Sequence, residues 1–145
     1  MQRGIIPPAA AKTLRSPNIL IVEDDPDIGE FLKQIIEEDT PYHTAIVYDG
    51  KQALEKAQHI HPCLLMLDYR LPGMNGLELA ARLLSNRPEM TVLYVSGHAD
   101  STRQIQLQEG QFIIEPGANF LHKPFSPDGL LQKVRHVMEH SAKPA

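Results

Sequence analysis

The chain reads as an α/β protein, a three-layer sandwich with a five-stranded parallel sheet between two layers of helices. Short apolar runs alternate with stretches of helical periodicity through most of its length, the pattern of βα units. The runs Ile19-Leu20-Ile21-Val22 and Leu64-Leu65-Met66-Leu67 are continuous rather than alternating, which suits parallel strands buried on both faces. Polar residues able to do chemistry stand just after several runs, where open α/β sheets place their sites.

Each element follows in order. Residues 1–17 carry Pro7, Pro8, Pro17 and an alanine run, the composition of a loose leader or linker. The folded part begins at residue 18 with the strand Ile19 to Val22. Pro26 suits the first turn of a helix. Ile28, Phe31, Leu32, Ile35 and Ile36 follow at helical spacing. Thr44 to Tyr48 is the second strand. Asp49-Gly50 marks a turn, and Ala53, Leu54 and Ala57 a short helix. Leu64 to Leu67 is the third strand. After Pro72-Gly73, residues Leu77, Ala80, Ala81 and Leu84 form the stripe of the next helix. Val92 to Val95 is the fourth strand, and Phe120-Leu121 a short fifth. Ser126 is placed to cap a last helix with Pro127 at its first position. The stripe of that helix is Leu130, Leu131, Val134, Val137 and Met138. Between His98 and Gly117, Gly110 and Pro116 interrupt the apolar pattern, so a short or irregular helix and a loop are expected there. The expected domain spans 18–140, with a tail at 141–145.

Composition narrows the function. At 145 residues, 42% hydrophobic and 22% charged, the chain is long enough for one domain with a real core. A net charge of −4 lacks the basic face that nucleic acid requires. Cys63 is the only cysteine, which excludes an intrachain disulfide and fits a reducing compartment. No apolar stretch approaches the roughly 20 residues needed to span a bilayer. A cytoplasmic protein without nucleic-acid or membrane partners is expected.

The chemistry gathers at the strand ends. Glu23 and Asp24 follow the first strand, Asp68 the third, Ser96 the fourth and Lys123 the fifth. In a parallel sheet these ends share one edge. Three clustered carboxylates repel one another, and a divalent cation relieves that repulsion. Oxygen ligands with open water positions suit Mg²⁺ better than Zn²⁺. An aspartate beside Mg²⁺ can attack a phosphoryl group. Lys123 can neutralise the transferred oxygens and Ser96 can donate a hydrogen bond to one of them.

Four segments in order carry a resemblance: Ile19-Leu20-Ile21-Val22-Glu23-Asp24-Asp25-Pro26, Leu67-Asp68-Tyr69-Arg70-Leu71-Pro72-Gly73-Met74-Asn75-Gly76, Val95-Ser96-Gly97, and Phe120-Leu121-His122-Lys123-Pro124-Phe125. Over residues 18 to 140 the chain resembles the receiver domain of two-component response regulators. The resemblance implies a flavodoxin-like sheet of order 2-1-3-4-5. It implies Asp68 as phosphoacceptor, with Lys123 and Ser96 as the other catalytic groups. Asp24, Glu23, Asp68 and the backbone carbonyl of Arg70 would hold Mg²⁺. Ser96 and Phe120 would be switch residues, and the Lys123–Pro124 bond would be cis. The donor would be a histidine kinase or a histidine phosphotransfer protein. Output would run through a downstream protein partner or the domains of a parent protein, the 141–145 tail being too short for a DNA-binding module. The segment from Glu109 to Gly117 replaces the usual alanine-rich fourth helix and is similar to receivers of hybrid sensor histidine kinases. A receiver segment of such a kinase is therefore the alternative, for which a transferase activity would be assigned to the parent protein. An Mg²⁺-dependent aspartyl-phosphate phosphatase of the haloacid dehalogenase type is a remote alternative. That type wants a second aspartate where Arg70 stands.

Blander readings exist for the same residues. Glu23, Asp24 and Asp25 can be helix-capping acids. Ser96 can be a turn residue, Lys123 a surface lysine and Phe120 simply core. His136 and His140 have the i, i+4 spacing of a metal pair but also suit the end of a helix. His59 and His61 read as loop residues and Cys63 as a buried strand residue. His98 lies two positions after Ser96, where the family tunes access of water to the phosphate.

Overall fold

A computed structural model describes residues 17–68, 70–71, 74–96 and 119–141. Five strands form one sheet: β1 (Ile19–Val22), β2 (Thr44–Val47), β3 (Leu64–Asp68), β4 (Thr91–Ser96) and β5 (Asn119–His122). Their order is β2-β1-β3-β4-β5, and every adjacent pair is parallel. The helices among the described residues are α1 (Pro26–Asp39), α2 (Gly50–Lys56), α3 (Gly76–Asn86) and α4 (Pro127–Ser141). Arg70–Leu71 pairs antiparallel with Met74–Asn75 in a separate two-residue ribbon. This is the flavodoxin-like, three-layer arrangement that the alternation of runs implies. The irregular helix expected between His98 and Gly117 lies outside the described residues.

Strand side chains alternate between two cores, as the period of two requires. Leu20, Val22, Leu65, Leu67 and Tyr94 face one side and pack with Ala53, Leu79, Ala80 and Leu83 of α2 and α3. Ile19, Ile21, Leu64, Met66, Leu93 and Val95 face the other and pack with Leu32 and Ile36 of α1 and Leu130, Val134 and Val137 of α4. Both faces of β1 and β3 are therefore covered, which is why these runs contain no polar residue before their carboxyl ends.

Local chemistry sets the helix starts. The Asp25 carboxylate accepts from the Asp27 amide at 2.9 Å and caps α1, with Pro26 in the first turn. Asp49 caps α2 through the Gln52 amide at 2.8 Å. Ser126 caps α4, its hydroxyl accepting from the Gly129 amide at 3.0 Å.

Several positions differ from the sequence expectation. The buried face of α1 runs through Gly29, Leu32 and Ile36. Phe31 stands about 100° round the helix from Leu32 and is 43% exposed. The buried face of α3 is carried by Leu79, Ala80 and Leu83, while Ala81 points to solvent. Two leucines bury more apolar surface than the alanine, so the helix turns them inward. Tyr48 is outside β2 because its amide bonds to the Gln52 side chain at 3.0 Å rather than continuing the strand. Cys63 precedes β3 and is exposed.

These positions predict unequal costs in urea denaturation. Leu65→Ala, at the sheet centre, should lose about 2–5 kcal/mol. Phe31→Ala should change stability by less than about 1 kcal/mol. A large loss at Phe31 would show that it is packed after all.

Candidate functional site

The parallel sheet brings its carboxyl ends to one edge, and the sequence-predicted polar residues arrive there. Val22 registers with Leu67, so Glu23 and Asp68 follow at the ends of neighbouring strands. Ser96 ends β4 in register with His122 of β5, and Lys123 comes next. The side chains of Ser96 and Arg70 lie outside what the structure describes; their backbones lie at the end of β4 and in the short ribbon.

Glu23 is 2% exposed and Asp68 is also buried, whereas Asp24 faces solvent. One carboxylate oxygen from each of the three lies within 4.8 Å of the others. The Lys123 ammonium donates to Asp68 Oδ2 at 3.3 Å and lies 3.7 Å from Glu23 Oε1. Glu23 Oε2 also accepts from the Asp25 amide at 3.2 Å. The Asp25 side chain is turned to its helix cap, so the cap reading holds for Asp25 and not for its two neighbours. The Lys123–Pro124 peptide bond is cis.

The electrostatics record the crowding. Burial, and next the Asp68 charge, push the Glu23 carboxyl up to about 7, against the opposing pull of Lys123. Burial pushes Lys123 down, but the Asp68 and Glu23 carboxylates outweigh it and raise its pKa overall. Among the described residues, the Lys123 ammonium faces three acids. The donor set is all oxygen, partly open to water through Asp24 and short of positive charge. It fits a hard divalent cation such as Mg²⁺.

Phe120 is buried and belongs to a ladder of rings that the sequence reading missed. Tyr94 of β4 stacks on it with centroids 5.3 Å apart, and the His122 ring also stacks on it with centroids 6.0 Å apart. Register pairs Tyr94 with Phe120, and residues two apart in β5 share a face. The signal was present as an aromatic in each of two adjacent strands, but it needed the register to be read. Burial pushes the Tyr94 hydroxyl up to about 12. His136 is exposed on α4, and the described part of His140 does not extend to its side chain. His98 lies outside the described residues.

The family of response regulator receiver domains matches residues 19–135. The chain is 32% identical over 118 residues to the DNA-binding response regulator MtrA of Mycolicibacterium smegmatis, covering 81% of this chain and 48% of MtrA. It is 27% identical over 124 residues to hybrid signal transduction histidine kinase D of Dictyostelium discoideum, covering 84% of this chain and 8% of that kinase. The chain thus spans half or less of these relatives. Among solved structures, a CheY-like response regulator receiver domain protein from Methanospirillum hungatei JF-1 superposes with a TM-score of 0.71 at 30% identity. That match covers 85% of this chain and 94% of the other. Among the described residues, no helix is long and apolar enough to cross a membrane.

The Glu23 geometry predicts a pH dependence in metal-free protein. Its carboxyl titrates near 7 when folded against 4.5 for the free side chain. Below 4.5 both states hold the proton and Glu23 costs nothing. As pH rises toward 7 the unfolded chain loses its proton first, so folding stability falls, and above 7 the full cost is present. Wild type should therefore lose stability relative to Glu23→Gln across that window, read from urea midpoints in EDTA. A gap that stays constant with pH would contradict the assignment.

Proposed function

This chain belongs to the response regulator receiver domain family, and we propose that it is a phosphoacceptor switch of a two-component phosphorelay in which Asp68 takes the phosphoryl group. The observation that carries the proposal is the buried Asp68 carboxylate with the Lys123 ammonium at 3.3 Å and two further acids beside it. The donor is a histidine kinase or a histidine phosphotransfer protein. An Asp68 oxygen attacks phosphorus, the bond from phosphorus to the donor imidazole nitrogen breaks, and an imidazole protonated at its other nitrogen leaves neutral. Lys123, released from Asp68 as the carboxylate charge is consumed, binds a phosphoryl oxygen. Asp24, Glu23, Asp68 and the Arg70 carbonyl would hold Mg²⁺, which would neutralise negative charge on the transferred phosphoryl oxygens.

Ser96, at the end of β4, is the hydroxyl proposed to follow the phosphoryl group. Phe120, two strands from Asp68, is the ring proposed to move with it. Output runs through a protein partner or the domains of a parent protein. The match to a hybrid histidine kinase favours a second reading, in which the chain is the receiver segment of such a kinase. The phosphoryl chemistry is the same in both. Nucleic-acid binding is no part of the proposal, in keeping with the net charge of −4.

Acetyl phosphate with Mg²⁺ should give one phosphoryl adduct by intact mass, stable in acid and labile in base. Asp68→Asn should abolish it, and Lys123→Ala should slow its formation about 10²-fold. An unmodified wild type, or an adduct at full yield in Asp68→Asn, would sink the proposal. Steady hydrolysis of a phosphate ester without an adduct would point to the phosphatase reading instead.

A further inference from the structure

β5 places two rings on one face. Phe120 and His122 are two residues apart, so their side chains leave the strand on the same side. Leu121 between them packs into the opposite core. The Phe120 and His122 ring centroids stand 6.0 Å apart, with 12° between the ring planes. Residues two apart in a strand are separated by about 6.6 Å along it. The rings are closer than that and nearly parallel, so the imidazole leans over Phe120 rather than away from it. The separation lies in the range where paired rings attract beyond their buried area.

Phe120 is thus held by two unlike neighbours. Tyr94, its register partner on β4, stacks on it at 5.3 Å. Tyr94 is itself buried in the apolar core with Leu65, Leu67 and Leu83, so it anchors the ring from within. His122 is exposed and holds the ring from the rim. It is also the last residue of β5 to pair with β4, in register with Ser96. A Phe120 ring that shifts toward the carboxyl edge therefore meets the His122 ring.

We propose that His122 is a positioning residue for the phosphorylation switch: its imidazole latches the Phe120 ring in the packed setting, and the switch moves only against the loss of that stack. The proposal rests on the phosphoacceptor reading of Asp68 and on Phe120 as the ring that moves. His122 takes no part in the phosphoryl transfer itself. A contact that favours one arrangement opposes every ligand that favours the other. Removing the ring therefore lowers the concentration of a phosphoryl mimic needed to move Phe120. The flat face carries the effect and the basic nitrogen does not, so phenylalanine can replace the histidine and alanine cannot.

The test uses the intact chain labelled with 4-fluorophenylalanine, the Phe120 fluorine signal being identified in each background by its loss in Phe120→Leu. Beryllofluoride is titrated at saturating Mg²⁺. The midpoint of the change in that signal is read for wild type, His122→Ala and His122→Phe, with circular dichroism to check that each is folded. His122→Ala should lower the midpoint about three- to tenfold, and His122→Phe should stay within about twofold of wild type. An unchanged or raised midpoint in His122→Ala, or an equal drop in both variants, overturns the latch and leaves Asp68 as the acceptor. Wild type that takes a phosphoryl group from acetyl phosphate while its Phe120 signal stays still also overturns the latch, because there is then no movement to resist. Wild type that takes no phosphoryl group at all overturns the phosphoacceptor reading, and the latch with it.

Discussion

Two buried carboxylates held beside one ammonium are the constraint to which the rest of the carboxyl edge answers. Glu23 and Asp68 sit at the ends of adjacent strands, β1 and β3, and Lys123 lies within 4 Å of both. Left alone, such acids would move apart or take up protons. Here the strands that carry them are pinned by hydrogen bonds to one another and by apolar side chains on both faces. With movement prevented, burial first and the Asp68 charge next hold the Glu23 pKa above its ordinary value. A group that brings positive charge to the edge relaxes that stress, and this is the physical basis of the proposed Mg²⁺ site.

The strand order makes the arrangement possible. Had β1 and β2 both been inserted elsewhere, Glu23 would not adjoin Asp68. With β4 lying between β3 and β5, Lys123 must reach across one strand to touch Asp68. It does so from the first residue after β5, so its placement depends on how β5 packs on β4. The stacked rings of Tyr94, Phe120 and His122 lie along that pairing. They connect the apolar core to the residue immediately before Lys123.

The same sheet shows how differently its boundaries are finished. Among the described residues the carboxyl edge gathers three acids and one lysine. The outer side of β2 is finished with Lys33, Glu37 and Gln52, each bonded to backbone. Glu37 has its carboxyl held below the ordinary range: burial raises it, but the Thr44 bonds and Lys33 more than compensate. Glu23 and Glu37 are the same residue type displaced in opposite directions. At Glu23 the nearest partners are mostly other acids; at Glu37 they are donors.

Much of this was legible in residue order. Continuous runs such as Leu64 to Leu67 mark doubly covered strands because nothing polar survives between two cores. Acids, Ser96 and Lys123 after those runs mark a shared edge because parallel strands all end on the same side. Asp25 illustrates the limit: three acids in a row look alike until geometry assigns Asp25 to a helix cap and leaves Glu23 and Asp24 with Asp68. Phe31 and Ala81 fit a helical spacing, yet spacing defines only a stripe. Which way a helix turns depends on the volumes that face it, so Leu79 and Leu83 took the place of Ala81. The covered rim of β2 and the ring ladder were hidden for a related reason. They join residues whose contact exists only once strand order and register are set. Sequence by itself determined the elements and the edge on which the chemistry stands, because hydrophobic period and strand polarity are local properties. Tertiary structure alone decided the distances, the displaced pKa values and the division of labour among like residues, because these arise from neighbours that are remote in the chain.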